Sequence, residues 1–230
     1  MTPKMAYYSA LAESAARDIT SSRDQWTAFL TTSARLYKYP YSDQLMIFAQ
    51  RPDATACAEY DLWNDKMRRY IKRGSKGIAL VDNSGERPRL RYVFDVADTG
   101  TRRSSPELKP WEVTAENRAY VMDSMERTFG VKADGLLEAQ LEEIAQSLAL
   151  EYWADNRKPI LDIVANSFLE EYDELNIEVA FKRAVANSVS YAMYCRLVEN
   201  PDNYFEHEDF LNVFDFNTRQ TVNTLGTAVN

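Results

Sequence analysis

One interruption constrains this fold more than anything else in the sequence: the spacing of apolar residues every three or four positions breaks off near residue 69 and resumes only after residue 111. Before the break, "YYSALAESAARDI" and "DQWTAFLTTSARLY" carry the helical repeat (Trp26, Phe29, Leu30, Leu36, Tyr37), and Ser21 or Ser22 is placed to cap the second segment. Past the turn at Pro40, Ser42 is placed to cap a short helix through "DQLMIFAQ", which Pro52 ends. Within the break, "YIKRG", "GIALVD" and "RLRYVFDVAD" are short, rich in β-branched and aromatic residues, and separated by Gly74, Gly77 and "NSGERP". They predict a small antiparallel sheet from about 69 to 98, entered through a helical turn at "YDLWNDKM". After it, "TAENRAYVMDSMERTF", "GLLEAQLEEIAQSLALEYWAD", "KPILDIVANSFLEEY" and "IEVAFKRAVANSVSYAMYCRLVE" all read as helices, with Thr114 capping the first. The tail predicts short helices, the last from about Thr218, and its uncapped end reads as that of a piece of a longer chain. The expected fold class is α+β: N-terminal helices with a small antiparallel sheet, then an all-helical C-terminal half. The expected domains are 1–103 and 111–230, divided within the turn-rich "DTGTRRSSPELKP".

Charge divides the chain at the same place. Residues 1–110 hold 18 Lys and Arg against 13 Asp and Glu, whereas 111–230 hold 9 against 22, so a balance of +5 faces one of −13. Such asymmetry predicts different partners for the two halves. A hydrophobic content of 45% is enough to fill a core. Cys57 and Cys195 lack CxxC spacing and the first residues lack the apolar run of a signal peptide, so a cytoplasmic protein with reduced thiols is expected. No stretch approaches the roughly 20 apolar residues of a spanning helix, and no membrane partner is expected.

The residue inventory offers little to catalysis. His207, in "FEHEDF", is the one histidine, which rules out the paired histidines of a zincin and leaves Ser-His-Asp or Cys-His chemistry a single candidate base. "RGSKG" lacks the spacer of a phosphate loop and joins two strands, so its glycines are better explained as turns. Glu142 with Glu143, and Glu170 with Glu171, fit solvated helix faces. No catalytic residue, metal or cofactor is assigned, and the chain is expected not to be an enzyme.

What stands out instead is "KMRRYIKRGSKG", residues 66–77, with six basic residues in an acidic protein. Such residues can serve simply to discourage sheet edges from pairing. A bend at Gly74, however, would let Lys72, Arg73 and Lys76 converge, with Arg68 and Arg69 approaching from the preceding turn. Aromatics are interleaved: Tyr70 within the patch, Trp63 before it, and Arg89, Arg91, Tyr92 and Phe94 on what is read as the neighbouring strand. Cations that follow phosphates and rings that stack on bases are how single-stranded nucleic acid is held. Trp63 and Phe94 are equally good core residues. Of Tyr37, Tyr39 and Tyr41, in the Pro-containing "LYKYPYS", at least one is expected to be exposed.

The stretch of about residues 22–100 also resembles the N-terminal domain of ArdC-type antirestriction proteins and of large proteins of conjugative elements. The resemblance rests on Trp26 opening a core helix, the aromatic and polar entry from Tyr41 to Leu45, Trp63 before a strand, the basic strand and turn from Ile71 to Ile78, and the closing "VFDV" at Val93 to Val96. It implies a domain that binds single-stranded DNA and protects incoming DNA during transfer. The helical half departs from the family pattern, having no HExxH motif, so no metal ligand is carried over.

The expected function is therefore a non-enzymatic single-stranded-DNA-binding, antirestriction-type module of a mobile element, with Arg68, Arg69, Lys72, Arg73, Lys76, Arg89 and Arg91 on phosphates and Tyr70, Tyr39 and Tyr41 on bases. One alternative is an acidic inhibitor of a host defence nuclease, antirestriction or anti-CRISPR, whose −13 half imitates DNA. The other is a docking domain of a larger polypeptide.

Overall fold

The computed structural model describes residues 2–108, 111–132 and 135–230. Three helices open the chain: α1 (Pro3–Ile19), α2 (Arg23–Arg35) and α3 (Tyr41–Gln50). Ser22 caps α2, its Oγ accepting from Gln25 N at 3.3 Å. Ser42 is not the cap of α3. The N–H groups of Asp43 and Gln44 both donate to Pro40 O, so the N-cap lies two residues before Ser42 and is a proline, with no side-chain acceptor.

Five strands follow: β1 (Cys57–Glu59), β2 (Arg69–Ile71), β3 (Ile78–Asp82), β4 (Arg89–Asp95) and β5 (Thr99–Thr101). They form two antiparallel sheets rather than the single one expected. One has the order β1-β4-β3, and the other is a ribbon of β2 with β5. Gly74, at φ +90°, turns the chain out of the ribbon and towards β3. Between β1 and β2, the turn Leu62–Lys66 is fixed by Trp63, whose Nε1 donates to Phe94 O at 2.8 Å. The face of the larger sheet that carries Ile78, Leu80 and Val93 packs on Met46 and Ile47 of α3.

The remaining helices are α4 (Arg118–Phe129), α5 (Leu137–Leu161), α6 (Glu174–Leu197) and α7 (Arg219–Val229), with 3₁₀ segments at Phe168–Glu171, Pro201–Asn203 and His207–Asp215. The fold is α+β, with a helical C-terminal half. Two local expectations change. Thr114 does not cap α4, because its carbonyl first accepts from Asn117 N and Arg118 N in a preceding turn. The helix expected to begin at Lys158 is instead the last turn of α5, which contains Pro159.

The hydrophobic cores divide the molecule differently from the expected ranges 1–103 and 111–230. A single core joins Trp26, Phe29 and Tyr41 of the first helices to Trp153, Phe181 and Tyr194 of α5 and α6 and Leu225 of α7. Trp26 Nε1 donates to Ser188 Oγ at 2.8 Å, and Phe29 meets Tyr41 edge to face at 5.9 Å. Gly226 of α7 makes room for the Tyr41 ring, since a Cβ there would stand 2.0 Å from it. The second, smaller core lies between α3 and the sheet. The "DTGT" at the start of the expected linker belongs to the sheets as well, contributing β5, while Lys109 and Pro110 at its end lie outside the described residues.

Candidate nucleic-acid interface

In the ribbon, Arg69 pairs with Thr101, Tyr70 with Gly100 and Ile71 with Thr99. Side chains alternate along a strand, so Arg69 and Ile71 share one face and Tyr70 takes the other. On the first face, Arg69 Nε donates to Thr99 Oγ1 at 2.6 Å, and that hydroxyl donates to Val96 O. On the second, the Tyr70 ring lies directly on Gly100, where a Cβ would stand 2.3 Å from its Cζ. Tyr70 is nevertheless 46% exposed. The glycine fixes the ring while leaving much of it open to solvent.

The cations lie on the segments that lead into and out of the two strands. Arg68 has φ +50°, a left-handed conformation rare outside glycine, and its carbonyl accepts from Ser105 Oγ at 2.6 Å. The same Oγ accepts from Arg102 N at 2.7 Å, which ties the exit of β5 to the entry of β2. Lys72 extends the ladder, its N–H donating to Asp98 O, while its Nζ donates to Ala97 O at 2.9 Å. The bend expected at Gly74 is present, closed by Ser75 N on Lys72 O. Arg68, Arg73 and Lys76 are exposed and make no ion pair among the described residues. Asp98, the carboxylate at the other end of the ribbon, is bound by Arg51.

Lys66 and Arg103, equally exposed and unpaired, join this surface, as does Arg102, whose guanidinium donates to Asn64 Oδ1 at 2.8 Å. Sequence reading counted Lys66 in the basic run without assigning it a contact, and missed both arginines. The arginines sit in "TGTRRSS", which looks like a linker because β5 is only three residues long with a glycine at its centre.

Four expected contacts lie elsewhere. β4 neighbours β1 and β3, not β2, so Arg89 and Arg91 do not flank the ribbon. Arg89 stands at the far end of β4, roughly 20 Å of strand from Asp95. It binds Asp82 at 2.7 Å, and hydrogen bonds from Ser84, with Arg89 adding to them, hold the Asp82 carboxyl well below the usual carboxylate range. Arg91 is turned to the core side of the sheet, where it binds the buried Asp43 and, at 3.4 Å, Glu59. Burial pushes the Asp43 carboxyl up, and Arg91 opposes that shift. Tyr41 is a core residue, only 6% exposed, and cannot reach a base. Tyr39 is half-buried and donates to Cys57 O at 2.8 Å, and burial raises its phenol to about 12. Tyr37 is the exposed member of the trio, stacked against the Arg196 guanidinium at 4.0 Å. Trp63 is buried and Phe94 half-buried.

The helical half pairs some of its carboxylates with its own basic residues. Arg118 binds Glu138, Arg127 binds Asp123, Arg157 binds Glu174 and Lys182 binds Glu178, while Glu143, Glu151 and Asp155 stay exposed on α5. His207 is exposed beside Phe214, and among the described residues no three His, Cys, Asp or Glu side chains gather as a metal site would need. Nor is any described helix long and apolar enough to cross a membrane. No protein-family model, curated protein or solved structure matches this chain.

Proposed function

We propose that the chain is a non-enzymatic module that binds single-stranded DNA through the β2–β5 ribbon, in the antirestriction setting its sequence resembles. The observation that carries this reading is the Tyr70 ring, fixed over Gly100 yet half exposed, on a strand whose flanking segments carry Arg68, Arg73 and Lys76 without a carboxylate partner among the described residues. Stacking of a base on such a ring contributes about 1–3 kcal/mol and is indifferent to base identity. Arg68, Arg73, Lys76, Lys66 and Arg103 follow the phosphates, and Lys72 joins them by exchanging its bond to Ala97 O. The net charge of −8 does not forbid this, because at physiological salt charges more than about 8 Å apart are largely screened.

The test is fluorescence anisotropy of a labelled mixed-sequence single strand, with duplex as comparison, over a salt series. The expected result is preference for the single strand and a log–log salt slope of about −0.7 per phosphate neutralised. Arg73→Glu with Lys76→Glu should abolish binding at physiological salt while leaving the thermal midpoint nearly unchanged. A stable double variant with undiminished affinity would rule out the ribbon as the contact surface.

A further inference from the structure

The tyrosine run "LYKYPYS" holds a second ring that the ribbon does not use. Tyr41 belongs to the core and Tyr39 is tied to Cys57 O, but Tyr37 is 53% exposed. It stands where two helices end, α2 at Arg35 and α6 at Leu197. The Arg196 guanidinium lies 4.0 Å from the centre of its ring, and Lys38 Nζ lies 5.7 Å from it. Arg35 is exposed two residues before the ring; burial pushes the thiol of Cys195, the neighbour of Arg196, up, and Arg35 opposes that shift. Two cations thus flank one exposed ring with a third close by, and none of the three pairs with a carboxylate among the described residues. Helix ends explain part of this, because the last carbonyls of a helix carry partial negative charge that a nearby cation stabilises. Arg196 meets that need for α2, its Nη1 donating to Ala34 O at 3.4 Å. Lys38 does not: it lies beyond the last turn of α2, and its ammonium has neither an ion pair nor a hydrogen bond among the described residues. Nor does a helix end require an exposed ring with an arginine stacked on it.

We infer that Tyr37, with Arg35, Lys38 and Arg196, forms a second contact for single-stranded nucleic acid, a contact that rests on the single-strand binding proposed above. Tyrosine rings and arginine planes both stack on bases. Arg196, anchored on Ala34 O, braces the ring; a base stacks on the part of the ring left exposed, and Lys38 and Arg35 meet the phosphates on either side. A short route joins this surface to the ribbon. Tyr39, two residues from the ring, donates to Cys57 O at the start of β1, and the turn Leu62–Lys66 leads from β1 to β2.

Fluorescence anisotropy and photochemical cross-linking of the full chain with an iodouracil-substituted single strand of about 16 nucleotides, the upper end of single-strand site sizes, test this. The expected result is adducts on Tyr37 as well as on Tyr70, with affinity about tenfold lower for Tyr37→Leu and unchanged for Tyr37→Phe, which keeps the ring. Lys38→Gln should make the log–log salt slope shallower by about 0.7, the share of one phosphate. All three variants should keep the parental thermal midpoint, because both positions are exposed. Adducts on Tyr70 alone, with Tyr37→Leu and Lys38→Gln at parental affinity, would overturn this second contact and leave the ribbon standing. Adducts on Tyr37 alone, with the Arg73→Glu, Lys76→Glu variant at parental affinity, would keep this contact and remove the ribbon. Absence of any single-strand binding at low salt overturns both.

Discussion

In the helical half, Arg118, Arg127, Arg157 and Lys182 each face a carboxylate within the same half; on the ribbon, Arg68, Arg73 and Lys76 face solvent. The two regions also differ in what holds them. The helices share buried Trp26, Phe29, Phe181 and Tyr194, whereas the ribbon has two three-residue strands, one ring on one glycine and one arginine on one threonine. Net charge therefore describes neither surface. What leaves a cation available is that the fold has given it no carboxylate partner, which holds for Arg68, Arg73 and Lys76 around the ribbon and, in the helical half, for exposed Lys158 and Arg183.

The contrast breaks most easily at the core. Trp26→Ala should cost about 3–5 kcal/mol in denaturant unfolding, because it empties a fully buried site and strands the Ser188 hydroxyl. Hydrogen exchange should then rise in α6 as well as α2; an α6 left protected would mean that the halves are separately stable after all. Gly226→Ala comes next, at about 1–3 kcal/mol, since the added methyl must displace the Tyr41 ring and the gain in helix propensity is smaller than the overpacking cost.

Tyr39→Phe removes the bond to Cys57 O and should cost about 1 kcal/mol at neutral pH. Its alkaline behaviour sharpens the point. Because the folded phenol titrates near 12 against an ordinary 10.0, its stabilising contribution is intact below pH 10 and is lost as pH rises through 12. Unfolding curves from pH 9 to 12 should thus fall less steeply for the variant than for the parent. The smallest effect on stability belongs to Gly100→Ala, under about 1 kcal/mol, because it disturbs only a peripheral ribbon. It should still weaken single-strand binding about tenfold, because the ring can no longer lie where it does. A large loss of stability with unchanged affinity would reverse the contrast drawn here.

Local signals in the sequence carried much of this fold. A cap at Ser21 or Ser22, the start of the last helix near Thr218 and the breaks at Gly74 and Pro52 act over a few residues and could be read directly. β1 and β5 escaped because three residues are too few to establish alternation, and "CAE" and "TGT" have little strand character of their own. The site divides along the same line. Arg68, Arg73 and Lys76 are exposed, as the sequence suggested, because exposure depends on no distant partner. Arg91 and Tyr41 were misread because their fates depend on Asp43, on another element, and on Gly226, near the opposite end of the chain.

Gln50 closes the account of the sheet. Its side-chain amide donates to Ala79 O at 2.8 Å and accepts from Ala79 N at 2.9 Å, so one glutamine at the end of α3 occupies the outward-facing backbone of β3 as a neighbouring strand would. A foreign strand that approaches this edge finds no vacant donor or acceptor at its middle, and templated growth of the sheet is blocked there. Replacing Gln50 by leucine would reopen that edge at Ala79, making it a place where copies of this protein begin to stick together.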